Sequence, residues 1–143
     1  MKKLPTLLLI LSCATLIACG KGQEINGHNT ATAYRSVKAL KNRLAPDVRI
    51  EFEVSFWTLR DAKKDDKEFL DVVDGKTPEE IIALGKEVYQ ERKSAGFKAY
   101  EQYTSWEEMI AKFGKERMDQ DNRKGKSKEA QDKDKANDVL YKL

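Results

Sequence analysis

The sequence predicts a mostly α-helical fold: a small domain of three to four helices between an N-terminal tether and a charged C-terminal tail. Three observations support this prediction. Apolar residues recur at the three- and four-residue spacing of amphipathic helices. Capping patterns at Thr77 and Ser105 mark two helix starts. Only one segment of the 143 residues alternates as a strand would, and a chain of this length has room for one domain.

The first helix is predicted to begin at Thr30 and to end before Pro46. The preceding residues, 20–29, are rich in Gly and Asn and carry a single aliphatic side chain, Ile25, which is typical of a flexible tether. The apolar stripe of the helix follows the spacing i, i+4, i+7 and i+11. It comprises Ala33, Val37, Leu40 and Leu44.

Residues 48–60 fit two structures. Alternate side chains from Val48 to Phe56 are apolar, which taken alone predicts a half-buried strand. Apolar side chains also form helical stripes on two opposite sides of the segment. One stripe is Val48, Phe52, Phe56 and Leu59, and the other is Ile50, Val54 and Trp57. No other segment alternates convincingly, and a lone strand would leave its backbone donors and acceptors without partners. The sequence therefore favours a helix packed on both sides, with Pro46 near its start.

The next helix has the clearest start signal in the chain. Residues 60–68 are nearly all charged and predict a solvated helix end or loop, and Asp74-Gly75 predicts a turn. Thr77 is then the expected N-cap and Glu80 closes a capping box, with proline at the first helical position. The helix should continue to about residue 93, with Gly96 as its C-terminal cap.

The last predicted helix is short and is followed by a charged tail. Ser105-Trp106-Glu107-Glu108 repeats the capping pattern, and Gly114 is expected to end the helix. From residue 114 to residue 138, 15 of 25 side chains are charged. Such a stretch buries too little apolar surface to offset its ordering entropy, so we expect a disordered or frayed-helical tail.

The N-terminus has the features of a secretory signal. A basic pair precedes an apolar run that is too short for a comfortable membrane span, and the run ends in Leu16-Ile17-Ala18-Cys19. This ending resembles the lipobox of bacterial lipoproteins. The resemblance implies cleavage between Ala18 and Cys19, and a diacylglycerol and an N-acyl chain on Cys19. Gly20 after the cysteine implies transfer to the outer membrane, facing the periplasm, in preference to the inner membrane. The alternative is an ordinary signal peptide followed by a free thiol.

The predicted organisation follows from these features. It comprises a signal peptide over 1–18, a lipidated cysteine and tether over 19–29, a helical domain over 30–114 and a low-complexity tail over 115–143. The formal net charge of +3 falls to about +1 once the signal is removed, which gives no electrostatic case for nucleic acid. Cys13 lies in the signal and Cys19 carries lipid, so no thiol remains for a disulfide or a metal.

Two further motifs lie in the middle of the chain: Arg49-Ile50-Glu51-Phe52 and the ten residues VDGKTPEEII over 73–82. Together with the lipobox, they resemble a family of small proteobacterial lipoproteins of undefined function, over residues 34–92. The resemblance implies a helix rather than a strand for residues 48–60. No catalytic residues are assigned in the family, so none is carried over to this chain.

Other candidate chemistry has a simpler explanation. Gly75-Lys76-Thr77 resembles the end of a phosphate-binding loop, but Leu70 stands where that loop requires glycine. His28 is the only histidine, so a catalytic triad or a metal site lacks its second member. The acidic pairs at 79–80 and 107–108 lie at helix starts, where the helix dipole favours negative charge. The sequence therefore predicts no enzymatic activity, no metal and no cofactor apart from the covalent lipid.

One row of aromatic side chains is a candidate partner surface. Phe97, Tyr100, Tyr103 and Trp106 recur every three residues and could stack on sugar rings or grip a partner helix. The favoured alternative is that they cover the core between the third and fourth helices.

The predicted function is that of a membrane-anchored periplasmic lipoprotein, a non-catalytic binding or envelope-structural module. Its expected partners are the membrane, through the lipid, and an envelope protein, with no nucleic acid. The alternative is an immunity or exclusion lipoprotein that neutralises a periplasmic toxin. Both functions require the anchor and neither requires catalysis.

Overall fold

The structure is a computed structural model that describes residues 23–140, with side chains described up to residue 128. This part of the chain contains five α-helices, one 3-10 turn and no strand, which confirms the prediction of a mostly α-helical fold. The helices are α1 (Thr30–Lys41), α2 (Pro46–Ala62), α3 (Asp66–Val73), α4 (Pro78–Ser94) and α5 (Trp106–Leu140), and the 3-10 turn is Lys98–Tyr100.

The chain divides into two compact units, with the boundary inside α4. Unit 1 is Met1–Val88 and unit 2 is Tyr89–Leu143. The described chain contains one helix more than the expected three to four, because residues 66–73 form a separate helix, α3. Its start is capped by Asp65, whose side chain accepts the backbone N–H of Glu68 at 3.0 Å.

Helix α1 begins at a capping box that the sequence did not reveal. The Asn29 side chain accepts the backbone N–H of Thr32, and the Thr32 hydroxyl oxygen accepts the backbone N–H of Asn29. Thr32 thus takes the place that Glu or Gln usually holds in this motif. The predicted stripe faces the core, and Leu44, beyond the helix end, packs against it partly buried.

Residues 48–60 are helical, so the argument against a lone strand is confirmed. Pro46 is the first residue of α2, as predicted. Phe52, Phe56 and Leu59 are buried. The second predicted stripe is only partly covered: Ile50 and Val54 are half-buried, but the Trp57 side chain is 49% exposed, so the expectation of packing on both sides is wrong at Trp57.

Helices α2 and α4 approach each other closely at one small-residue contact. A Cβ atom built on Gly85 of α4 would lie 2.6 Å from the Cβ atom of Ser55 on α2. The Ser55 hydroxyl donates a hydrogen bond to the carbonyl of Glu51 in its own helix at 2.7 Å, so this buried polar group is satisfied. Only the absence of a side chain at residue 85 permits this approach.

The predicted turn and capping box before α4 are both present. Gly75 has φ +69°, a conformation that glycine adopts at little cost. The Glu80 N–H donates to the Thr77 hydroxyl, and the Thr77 backbone N–H donates to the Glu80 carboxylate at 2.9 Å. This backbone hydrogen bond lowers the pKa of Glu80 below its usual value. The stability that the ionised Glu80 contributes is therefore fully present above the usual carboxyl pKa, and it is lost as the pH falls through the lowered pKa of Glu80.

The described part of the predicted tether, from residue 23, is attached to unit 1. Ile25 is 2% exposed, its N–H donates to the carbonyl of Lys76 at 2.9 Å, and its carbonyl accepts the N–H of Gly75 at 2.9 Å. The N–H of Gly27 donates to the Asp74 carboxylate at 2.7 Å. This differs from the expected flexible tether, because the Ile25 side chain is buried and three backbone groups of the segment find hydrogen-bond partners that are distant in sequence.

We expect the substitution Gly27→Ala to detach this segment. A Cβ atom at residue 27 would lie 2.5 Å from the Cβ atom of Asp74, so the segment must move. The amides of Ile25 and Gly75 should then exchange hydrogen about ten-fold faster or more, measured by hydrogen exchange and mass spectrometry. The control is His28→Ala, since the His28 side chain is exposed. Equal exchange in both variants would contradict the attachment.

In unit 2, α4 ends as predicted and α5 does not. Gly96, with φ +76°, donates its N–H to the carbonyl of Lys93, and Phe97 donates its N–H to the carbonyl of Arg92. These two hydrogen bonds form a Schellman cap.

The prediction that Gly114 ends the last helix is wrong, because α5 continues through it to Leu140. A glycine inside a helix costs only about 1 kcal/mol relative to alanine. The sequence predicts a tail that is either disordered or a frayed helix, and the described backbone of this stretch is helical.

The start of α5 shows a shifted form of the predicted capping box. The Glu108 N–H donates to the Ser105 hydroxyl oxygen at 3.1 Å, as expected. The Glu108 carboxylate, however, accepts the hydroxyl and the backbone N–H of Thr104, one residue earlier than expected. These two hydrogen bonds, the hydroxyl first, lower the pKa of Glu108 below its usual value.

Candidate functional site

The predicted lipidation and cleavage site falls in the N-terminal residues that the structure leaves undescribed. Ala18 and Cys19 precede Gln23, the first described residue, so lipidation at Cys19 stays a prediction. The structure does describe where the chain that follows Cys19 joins unit 1, at Ile25.

The predicted aromatic row comes together, but three of its four members lie inside unit 2. Tyr100 is 9% exposed, Tyr103 7% and Trp106 2%, whereas Phe97 is 39% exposed. The Tyr89 ring lies between two of them, 4.8 Å from the centroid of Tyr100 and 5.5 Å from that of Trp106. Burial agrees with the alternative interpretation of the row as core. Only Phe97 offers an accessible aromatic face.

Three cations border this aromatic cluster. The Lys93 ammonium donates to the carbonyl of Tyr103 and lies 5.7 Å from the centroid of the Tyr89 ring. Lys112 lies 5.3 Å from the centroid of Tyr103, and Arg92 lies 4.7 Å from that of Phe97. Cations at these distances are attracted to aromatic faces and stabilise them. Phe97 is thus already in contact with Arg92, and the cluster of unit 2 acts in packing.

The best candidate site is on unit 1, where Tyr34 of α1 and Trp57 of α2 form an exposed aromatic pair. Their ring centroids are 5.3 Å apart, and their side chains are 37% and 49% exposed. Both rings contact the buried ring of Phe56, at centroid distances of 6.0 Å and 5.4 Å. The pair is therefore held in place from below while its outer surface faces solvent.

The charges beside the aromatic pair are unevenly distributed. The sequence of α1 contains three basic residues and no acidic one. Arg35 and Lys38 are exposed and form what we call the basic face of α1. The third, Lys41, forms an ion pair with Glu53 of α2 at 2.8 Å. The site thus combines two aromatic rings with an adjacent positively charged helix face.

Sequence reasoning missed this pair, although a signal was present. The sequence predicts that Trp57 is buried, on the second apolar stripe of the segment together with Ile50 and Val54. Glu53 precedes Trp57 by four residues and Asp61 follows it by four, so all three share one helix face. Acidic neighbours at this spacing indicate a helix face that is not part of the apolar core.

The described part of the chain shows no metal-binding cluster. No group of three or more His, Cys, Asp or Glu side chains there is placed to hold a metal ion, and the His28 side chain is exposed. Among the described helices, none combines the length and the apolar character that crossing a bilayer requires. Models of known protein families gave no match to the chain, and neither did searches among curated proteins and among solved structures.

Proposed function

We propose that this chain is a lipid-anchored periplasmic lipoprotein of the outer membrane that serves as a non-catalytic binding or envelope-structural module. The sequence Leu16-Ile17-Ala18-Cys19 supports the anchor. One structural observation carries the binding part, namely the exposed aromatic pair that Phe56 supports. Trp and Tyr are enriched where binding energy concentrates, and a surface held in place loses little entropy on binding.

The anchor is physically sufficient to hold the protein at a membrane. Each buried methylene contributes about 0.8 kcal/mol, one acyl chain binds only marginally, and two or more chains hold firmly. Cys19 with a diacylglycerol and an N-acyl chain would carry three. A non-catalytic role is supported by the sequence, which has a single histidine and no cysteine after residue 19.

Lipidation is tested by labelling cells with radioactive palmitate and isolating the protein. We expect the label on the wild type and none on a Cys19→Ser variant, because the thioether requires that sulfur. Mass spectrometry of the mature wild type should find Cys19 as the first residue with its lipid attached.

The matched control is Cys13→Ser, which removes the other cysteine of the chain and should keep the label. Label that persists in Cys19→Ser, or a mature protein that begins at another residue, would contradict the proposed anchor.

A further inference from the structure

The path of residues 23–29 shows where the anchor meets unit 1. Gln23 lines a surface recess together with Leu40 and Leu44, beside the C-terminal end of α1. The Asn26 N–H then donates to the Ser36 hydroxyl oxygen at 3.1 Å, and Asn29 caps the N-terminal end of the helix. The segment therefore runs alongside α1, and the chain toward Cys19 departs near the C-terminal end of that helix.

The short chain between Cys19 and Gln23 limits how far α1 can lie from the lipid. Four residue steps separate the two positions, and a fully extended chain covers about 14 Å over that length. This is little more than the diameter of one helix with its side chains, about 10–12 Å. With the acyl chains of Cys19 in a bilayer, α1 is therefore held close to the headgroups.

The periodicity of α1 shows which face of the helix lies between the anchor segment and the aromatic pair. Ser36 contacts the segment that leads to the anchor, and Tyr34 contacts Trp57. Two residue steps turn a helix by about 200°, so these contacts lie on opposite flanks of α1. Arg35 and Lys38 are exposed on the face between the two flanks. The anchor and the aromatic pair therefore flank the basic face.

We propose that the basic face of α1 and the aromatic pair lie on the anionic phospholipid headgroups of the leaflet that holds Cys19. This inference rests on the proposed lipid anchor and names the occupant of the same site. Arg and Lys side chains are attracted to anionic headgroups, and Trp and Tyr rings favour the region between headgroups and acyl chains. The acidic neighbours of Trp57 do not oppose this, since Glu53 pairs with Lys41 and Asp61 pairs with Lys64.

The test measures how close Trp57 comes to lipid in the lipidated full-length protein. The chain has two tryptophans, so Trp106→Phe leaves Trp57 as the only one. The protein is reconstituted into vesicles of brominated phosphatidylcholine, with or without phosphatidylglycerol, and bromine quenching of tryptophan emission is recorded. Trp57→Phe retains only the buried Trp106 and gives the background signal. If Trp106→Phe does not fold, the quenching of Trp57 is obtained by subtracting the Trp57→Phe signal from that of the wild type.

We expect bromine quenching of Trp57 to be about two-fold stronger or more when phosphatidylglycerol is present, and to weaken with added salt. Arg35→Glu with Lys38→Glu should abolish the difference between the two kinds of vesicle. The matched control, Lys124→Glu with Lys126→Glu, changes the net charge equally at exposed positions of α5 and should leave the difference intact.

The outcomes separate this inference from the proposed anchor. If mass spectrometry confirms lipid on Cys19 but Trp57 is quenched only by aqueous acrylamide in both kinds of vesicle, the inference is overturned and the anchor stands. That result would leave the aromatic pair open to an envelope protein. If the protein carries no lipid, the anchor and the inference both fall.

Discussion

Replacement of Phe56 by alanine should lower the free energy of unfolding of unit 1 by about 3–5 kcal/mol. Phe56 is fully buried, and its ring contacts Tyr34, Trp57 and Phe69 at centroid distances of 6.0, 5.4 and 5.3 Å. The substitution leaves a cavity. It also removes three edge-on ring contacts, each of which contributes about 0.5–1.5 kcal/mol beyond the burial of apolar surface. Urea denaturation followed by far-ultraviolet circular dichroism measures the loss.

The control for this prediction is the adjacent residue. Trp57→Ala removes a larger side chain that is 49% exposed, and it should cost less than half as much as Phe56→Ala. When the Phe56 variant also carries Trp106→Phe, so that Trp57 is the only tryptophan, the emission should lose anisotropy because the support beneath the Trp57 ring is gone. Equal losses of stability for the two variants would show that the aromatic pair is not built on Phe56.

Replacement of Gly85 by alanine should destabilise unit 1 by about 2 kcal/mol, although alanine is the better helix former by about 1 kcal/mol. The new Cβ atom would lie 2.6 Å from the Cβ atom of Ser55 and 2.7 Å from its Cα atom. Since that Cα atom belongs to the backbone of α2, no rotamer change relieves the overlap, and the two helices must move apart. The midpoint of urea unfolding is the measurement.

The same substitution at Gly114 isolates the packing effect. Gly114 lies inside α5 with no atom within 4 Å of a built Cβ atom, so Gly114→Ala should stabilise the helix by about 0.5–1 kcal/mol. Opposite signs at the two positions are the expected result. A stabilised Gly85→Ala variant would mean that α2 and α4 are farther apart than the structure places them.

The parts of the fold that the sequence predicts are those set by local chemistry. The capping box at Thr77 and Glu80, the left-handed Gly96 cap and the stripe of α1 each involve residues a few positions apart, and all three are present. The helical state of residues 48–60 could be predicted only by counting backbone partners, because the alternation alone favoured a strand. Elimination succeeded there because no other segment of the sequence offered a partner strand, and the described residues contain no strand.

The features that the sequence did not predict depend on distant contacts. The partners of Ile25 lie about fifty residues away at Gly75 and Lys76, so composition alone made the segment resemble a tether. In the same way, three members of the aromatic row are buried by rings that their three-residue spacing could not reveal. Tyr89 packs against Tyr100 and Trp106, and Phe113 packs against Tyr103. The exposed aromatic pair joins two helices, and only the arrangement of α1 and α2 creates it.

The attachment of Ile25 has a mechanical consequence. Tension applied at the N-terminal end of the chain reaches the hydrogen bonds of Ile25 with Gly75 and Lys76 before it reaches α1. Under load, the segment from Gln23 to Asn29 would peel away first and become a free connection that reaches about 22 Å when fully extended. The helices would remain folded while this slack is taken up, and release of the load would let the segment rebind.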